Sequence, residues 1–193
     1  MKKMLFPFAA LFCAIFMSAQ PTWSQASHGF TPEFPDIRKD LEAFQDAIAK
    51  TLLENLQGPV PILSTPKGTY LPDYGAVFNV EGNLYEIRAI SPFSPTPRTQ
   101  KELDDAYSEM LQRVEKLRER MLRTIGQYGA TLEHLKPEES IAIVVHLFNG
   151  YDDPKRPCPG QLIFRVKKAA ISEYQQKTIG FDEFAKKIEI NQL

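Results

Sequence analysis

The sequence predicts an α+β domain, with a mainly antiparallel sheet of about four strands, a long amphipathic helix between two strand pairs, and helices at both ends. Apolar residues recur every three or four positions over 99–128, which indicates a helix with one buried face. Alternating segments on either side of Gly82-Asn83 are typical of a β-hairpin. The uninterrupted apolar run "IAIVVHLF", residues 141–148, is short enough to be a central strand.

The N-terminus has the pattern of a secretory signal peptide. Lys2 and Lys3 precede the apolar run "MLFPFAALFCAIFM", and small and polar residues follow it. This run is shorter than the ~20 apolar residues that a membrane-spanning helix needs. Cleavage after Ala26 or after Ala19 satisfies the small-residue rule, and an uncleaved anchor is the other alternative.

The prediction is therefore a signal peptide over 1–26 and a single exported domain over 27–193, periplasmic or extracellular, with no membrane span after the signal is removed. Without its two N-terminal lysines the chain has 21 basic and 24 acidic residues, a formal charge of −3. This balance does not favour a nucleic-acid partner. One cysteine outside 1–26, Cys158, excludes an intramolecular disulfide framework. A tolerated free thiol, intermolecular pairing and a reactive thiol all remain open for it.

The first predicted helix begins near Phe34 and ends before Gly58-Pro59. Its apolar positions have helical spacing: Ile37, Leu41, Phe44, Ile48, Leu52 and Leu56. Prolines and glycines then crowd residues 59–75. Such a stretch can supply at most an edge strand, around "ILST" at 62–65.

A hairpin is predicted next, because residues 76–81 and 84–90 alternate on either side of Gly82-Asn83. Glycine and asparagine suit a two-residue turn, since both accept positive φ readily. Folding about that turn pairs apolar residues on one face. The predicted pairs are Val80 with Tyr85, Phe78 with Ile87 and Ala76 with Ala89.

The long helix begins at a capping box formed by Thr99 and Glu102, and Gly129 is placed to end it. Its stripe comprises Leu103, Tyr107, Met110, Val114, Leu117, Met121 and Ile125, widened by Leu111 and Leu122. The opposite side is densely charged. It is interpreted either as a solvated face or as a seam for an envelope protein partner or a second copy, so the helix 99–128 is the predicted partner surface.

The C-terminal part predicts a strand in "QLIFRVK", residues 161–167, and then two short helical pieces, "AAISEY" and "FDEFAKKIEI". These two pieces join around 178–180. The segment "SEYQQKTIGFDEF" resembles the end of a calcium-binding EF-hand, but Lys177 stands where the bend needs glycine and the upstream ligand positions lack acids. A helix–turn–helix corner is therefore predicted there, without calcium.

Common catalytic signatures are absent from the sequence. It contains no G-x-x-x-x-G-K-[ST], no G-x-G-x-x-G, no G-x-S-x-G and no H-E-x-x-H. No cofactor and no metal site are therefore predicted.

The candidate ligand-binding residues are Tyr70, Asp73 and Tyr74 in "GTYLPDYG", together with His146. The turn-forming residues favour a turn that leads into a strand and is pinned by the two aromatic rings. Binding of a small ligand or a peptide at this corner is the functional interpretation. His146 lies in the predicted central strand, where a hydrogen-bonded core histidine and a catalytic one are both open.

The stretches "GTYLPDYGAVFNVEG", "LEHLKPEESIAIVVHLF" and "LIFRVKKAAISEYQQKTIGFDEFAKKI" resemble a family of uncharacterised secreted bacterial proteins. Its features are a YLPGYG-x-x-F core motif and a closing I-x-x-x-EF helix, and the resemblance covers roughly residues 35–190. Asp73 stands where that motif has glycine, which favours a turn role. The resemblance implies export and a single domain, and it implies no activity.

These observations predict an exported bacterial envelope protein that acts as a non-enzymatic binding or interaction domain. The alternative is an envelope enzyme that uses the Tyr70, Asp73 and Tyr74 corner with His146.

Overall fold

Five strands form one mixed sheet in the order β1-β2-β3-β4-β5, within the residues that the computed structural model describes: 35–55, 62–83, 99–148 and 157–193. The strands are β1 (Ile62–Leu71), β2 (Gly75–Asn83), β3 (Ser140–Phe148), β4 (Gln161–Lys167) and β5 (Glu189–Gln192). The pairs β1–β2, β3–β4 and β4–β5 are antiparallel, whereas β2 and β3 are parallel. The α+β class is confirmed, but the prediction of about four mainly antiparallel strands missed one strand and the parallel central pair.

Four helices complete the described chain. They are α1 (Pro35–Asn55), α2 (Gln100–Tyr128), α3 (Lys168–Gln175) and α4 (Phe181–Lys186), with a single 3-10 turn at Gly129–Thr131 after α2. None of the helices within the described ranges has both the length and the apolar composition that crossing a bilayer requires.

Helix α2 has the predicted bounds and cap. The Thr99 hydroxyl accepts a hydrogen bond from the Glu102 backbone, and the Glu102 carboxylate accepts one from the Thr99 backbone at 2.8 Å. These two bonds satisfy backbone donors that the first turn of a helix leaves open. Gly129 ends the helix by donating its backbone N–H to the Ile125 carbonyl, also as predicted.

The predicted hairpin about Gly82-Asn83 is wrong. Both residues continue β2: Gly82 pairs with Leu147 and Asn83 with Phe148 on β3. A strand has two hydrogen-bonding edges, and those of β2 are occupied by β1 and β3. The predicted partners Tyr85, Ile87 and Ala89 lie outside the described residues.

The edge strand predicted around 62–65 exists and is longer, because β1 continues to Leu71. Pro66 is tolerated in it because β1 is an edge strand and its register shifts between Ser64 and Lys67. Strand β5 was not predicted. The sequence pattern predicts that the last helix continues through these residues, but α4 ends at Lys186.

The core lies between the helices and one face of the sheet. Burial there is dominated by large apolar side chains, and four phenylalanines are fully enclosed. They are Phe44, Phe78, Phe164 and Phe184. On the opposite face, Val77, Val144 and Ile163 are half-buried and lie outside the core cluster.

Candidate functional site

The segment that contains Tyr70, Asp73 and Tyr74 is the hairpin turn between β1 and β2. Residues 72–74 form the turn, and the Tyr74 N–H donates to the Leu71 carbonyl at 3.1 Å. Asp73 has φ 65° and Gly75 has φ 120°. A Cβ on Gly75 would lie 2.1 Å from the Ser140 carbonyl oxygen, so the turn is pressed against the start of β3. The stretch is a turn leading into a strand, as the sequence predicts.

The Tyr70 hydroxyl is used inside the protein. It donates to Glu139 Oε1 at 2.7 Å, and Glu139 is only 2% exposed. The other carboxylate oxygen accepts from the Lys136 backbone at 2.7 Å. The hydrogen bond to Glu139, then burial, then the charges of Glu139 and Asp73 raise the pKa of Tyr70 to about 12. Tyr70 therefore anchors β1 to the loop before β3.

His146 lies at the other end of β3. It lies six positions from Ser140, beside the turn, which is about 20 Å along a strand. It pairs across the sheet with Glu81 and Gln161, and the Gln161 side chain contacts its Nδ1 at 3.2 Å. The structure thus brings together Tyr70, Asp73 and Tyr74 and does not bring His146 to them.

Lys168 is a buried lysine that no sequence pattern predicts. The Nζ atom of Lys168 donates to the Gly129 carbonyl at 3.0 Å, which ties α3 to the end of α2. Burial lowers the pKa of Lys168, and the charges of Asp40 and Glu133 partly oppose that shift. The only acceptor recorded for its ammonium within the described chain is a backbone carbonyl, which indicates a packing role.

Cys158 is half-buried, and its Sγ lies 3.5 Å from Met110 Sδ. Burial raises the pKa of this thiol. A raised pKa lowers the thiolate fraction, so the reactive-thiol interpretation receives no support from its surroundings.

One concave surface of the described region is a groove between α2 and the α3–α4 corner, with a volume of about 660 Å³. We call it the corner groove. One wall is formed by Arg123 and Gln127 of α2. The remaining lining residues belong to the corner: Tyr174, Gln175, Lys177, Ile179, Gly180 and Phe181.

The floor of the corner groove is aromatic and closely packed. Tyr174 stacks on the buried Phe184 with ring centroids 4.7 Å apart, and Phe181 meets Tyr174 edge-on at 6.2 Å. Gly126 of α2 permits this approach, because a Cβ there would lie 2.9 Å from Tyr174 and 3.0 Å from Phe184. The floor is therefore held in place by its own packing.

The corner itself is a Schellman motif. The Lys177 N–H donates to the Tyr174 carbonyl at 3.0 Å, and the Thr178 N–H donates to the Glu173 carbonyl at 3.0 Å. Lys177 has φ 58°, at the position that glycine usually occupies in this motif. The predicted helix–turn–helix corner is confirmed, and it forms without the glycine.

Arg123 forms the upper wall of the corner groove. Its Nε and Nη2 donate to Glu119 Oε1 at 3.2 and 2.8 Å, and its guanidinium lies 4.8 Å from the centroid of the Phe181 ring. The ion pair and the ring together hold the plane of the guanidinium. Its position does not depend on a bound molecule.

Most of the apolar stripe of α2 packs into the core of this chain. Its buried members are Met110, Val114, Leu117, Met121 and Ile125. A partner at the predicted helix 99–128 would therefore meet its outer side. There Leu111 is 41% exposed and Leu122 is half-buried among charged residues.

No group of three histidine, cysteine, aspartate or glutamate side chains that could hold a metal ion occurs among the described residues. The chain matches no protein-family model, no curated protein and no solved structure. The sequence alone does not predict the corner groove, because its walls come from segments about 50 positions apart. Two signals pointed to it: Lys177 in place of a bend glycine, and Gly126 inside a helix.

Proposed function

We propose that this chain is an exported, non-enzymatic binding domain of the bacterial envelope, and that the corner groove is its ligand site. Export is supported by the basic, apolar and small-residue succession of residues 1–26. The assignment of a binding role is supported by the geometry of the groove.

The observation that carries the proposal is the combination of a rigid aromatic floor with a polar rim. A volume of about 660 Å³ lies within the range of roughly 300–1,000 Å³ that small-molecule sites occupy. Such sites have apolar walls and a few placed polar groups, and here the polar groups are Arg123, Gln127 and Lys177. None of these three is enclosed in the core, so their free hydrogen-bonding groups can face a ligand.

Binding is favoured over catalysis by the chemistry of the lining. The eight described lining residues include no carboxylate, imidazole, thiol or aliphatic hydroxyl group. The groove therefore lacks the hydroxyl or thiol nucleophile with an adjacent imidazole or carboxylate base that hydrolases use. At the β1–β2 turn, the Tyr70 hydroxyl already donates to Glu139, and His146 lies at the far end of β3.

A small set of aromatic probes tests the site: an acid, an amide, an amine and an alcohol on the same ring. Spectra of the exported protein labelled with ¹⁵N are expected to show probe-dependent shifts at 123–127 and 174–181. Shifts confined to the β1–β2 turn, or the absence of shifts from every probe, would contradict the proposal.

Export is tested separately by mass spectrometry of periplasmic and secreted fractions. The expected product begins at Ser27, after cleavage at Ala26. A full-length chain retained in the membrane fraction would contradict the export half of the proposal and leave the groove half to the probe experiment.

A further inference from the structure

We infer that the corner groove takes a small anion attached to a flat, apolar group, of the aryl carboxylate class. This inference rests on the proposed function, because it names the ligand chemistry of the same site. The first reason is charge. Two of the eight described lining residues, Arg123 and Lys177, are cations and none is acidic; Glu119, outside the lining, pairs with Arg123 and leaves Lys177 as the cation without an ion pair among the described residues.

Arg123 is prepared to receive an acceptor. A guanidinium has five N–H groups, and hydrogen bonds to Glu119 use one on Nε and one on Nη2. Three N–H groups therefore remain for other acceptors. The guanidinium also lies over the Phe181 ring, 4.8 Å from its centroid, so a carboxylate bound to it would lie beside the aromatic floor.

Lys177 supplies the second cation at a position that favours glycine. Its φ of 58° is in the left-handed region, where a side chain is disfavoured and glycine is not. Among the described residues no carboxylate forms an ion pair with it. A lysine here gives the rim an ammonium that a glycine could not give, and strained residues of this kind concentrate at functional positions.

The shape of the floor accounts for the flat, apolar part of the ligand. Tyr174, Ile179 and Phe181 line the groove, and the Tyr174 ring is fixed by stacking on Phe184 at 4.7 Å with 17° between planes. Aromatic groups pack favourably in stacked or edge-on geometry against such rings. An anion without a flat apolar group would leave this surface uncovered.

Benzoate and its neutral isostere benzamide test the inference. We expect benzoate to shift the amide signals of 123–127 and 174–181 and to bind about tenfold more tightly than benzamide, which corresponds to about 1.4 kcal/mol, the sum of two exposed charge interactions with Arg123 and Lys177. Lys177→Gly is expected to raise the melting temperature and to weaken benzoate binding at least about fivefold, with benzamide binding unchanged. Lys177→Arg restores the charge and is expected to recover most of the benzoate affinity.

Lys186→Ala is the control, because Lys186 is exposed on α4 and does not line the groove. It is expected to bind benzoate like the unmodified protein. Equal affinity for the two probes, or benzoate binding that Lys177→Gly leaves intact, would overturn the inference while the groove remains a binding site. The absence of amide shifts with both probes would also overturn the inference. Shifts with the amine or the alcohol probe would then still support a binding site in the groove, and their absence would contradict the proposed function as well.

Discussion

Two tight reversals of the chain, the β1–β2 turn and the α3–α4 corner, have the same backbone anomaly and different surroundings. Asp73 has φ 65° in the first and Lys177 has φ 58° in the second, and they are the two non-glycine residues with positive φ in the described part of the chain. At the turn, Tyr70 donates to a buried carboxylate and Gly75 is pressed against Ser140. At the corner, Lys177 and Gln127 border an open groove.

Backbone strain alone therefore does not identify a functional site. Near Asp73, the Tyr70 hydroxyl is paired with the buried Glu139, so the turn stabilises the junction of β1, β2 and β3. At the corner, Arg123 and Lys177 have N–H groups left for a ligand.

The largest effect is expected from Gly75→Val. Its Cβ would lie 2.1 Å from a backbone oxygen that cannot move without disturbing β3, and its φ of 120° disfavours a side chain. We expect the free energy of unfolding to fall by about 3 kcal/mol or more, measured by urea denaturation. Gly82→Val is the matched control on the same strand, because no atom of the described residues lies within 4 Å of its added Cβ. Equal losses for the two variants would show that the contact at Gly75 is not the cause.

Tyr70→Phe should destabilise by about 1–3 kcal/mol, because it leaves one oxygen of the buried Glu139 without its donor. Tyr74→Phe is its control, since no hydrogen bond of the Tyr74 hydroxyl is recorded within the described residues. Thermal denaturation at neutral pH measures both variants. A silent Tyr70→Phe would show that the pair does not anchor the turn.

The same hydrogen bond predicts a pH dependence. The pKa of Tyr70 is raised from 10.0 to about 12 in the folded protein, so the folded state retains its proton longer than the unfolded state. The stabilisation is complete below about pH 10 and is lost as the pH rises through about 12. Tyr70→Phe should flatten the decline in stability over this window. If the variant loses stability with rising pH as steeply as the unmodified protein, other groups cause the loss of stability at alkaline pH.

The smallest effects are expected at the two strained positions. Lys177→Gly should raise the free energy of unfolding by about 1 kcal/mol, because it removes a side chain from the left-handed region. Asp73→Gly should change it by less than about 0.5 kcal/mol, because aspartate tolerates that region better. Urea denaturation of both variants checks the order. A larger gain at Asp73 would reverse the assignment of strain.

Local signals predicted the long helix α2 well. The capping box at Thr99 and Glu102 and the stripe from Met110 to Ile125 involve neighbours within one or two turns, so the sequence alone specifies them. The central position of residues 141–148 in the sheet was also predictable, because a nearly continuous apolar run is typical of a strand that has a neighbouring strand on each side.

Pairings between distant segments could not be predicted. Gly82-Asn83 has the composition of a hairpin turn, but β3, more than 50 positions away, extends β2 through it. Tyr70 and Glu139 are 69 positions apart, and no local pattern links them. The candidate residues at the turn were therefore identified without their partner, and the corner groove was not identified at all.

The most direct test compares benzoate affinity, by isothermal titration calorimetry, between Asp73→Gly and Lys177→Gly. Both substitutions place glycine at a residue of positive φ, and only one removes a charge from the corner groove. We expect unchanged benzoate affinity for Asp73→Gly and a loss of at least about fivefold for Lys177→Gly. Loss of benzoate binding in Asp73→Gly, with Lys177→Gly unaffected, would place the site at the β1–β2 turn and refute a ligand site in the corner groove.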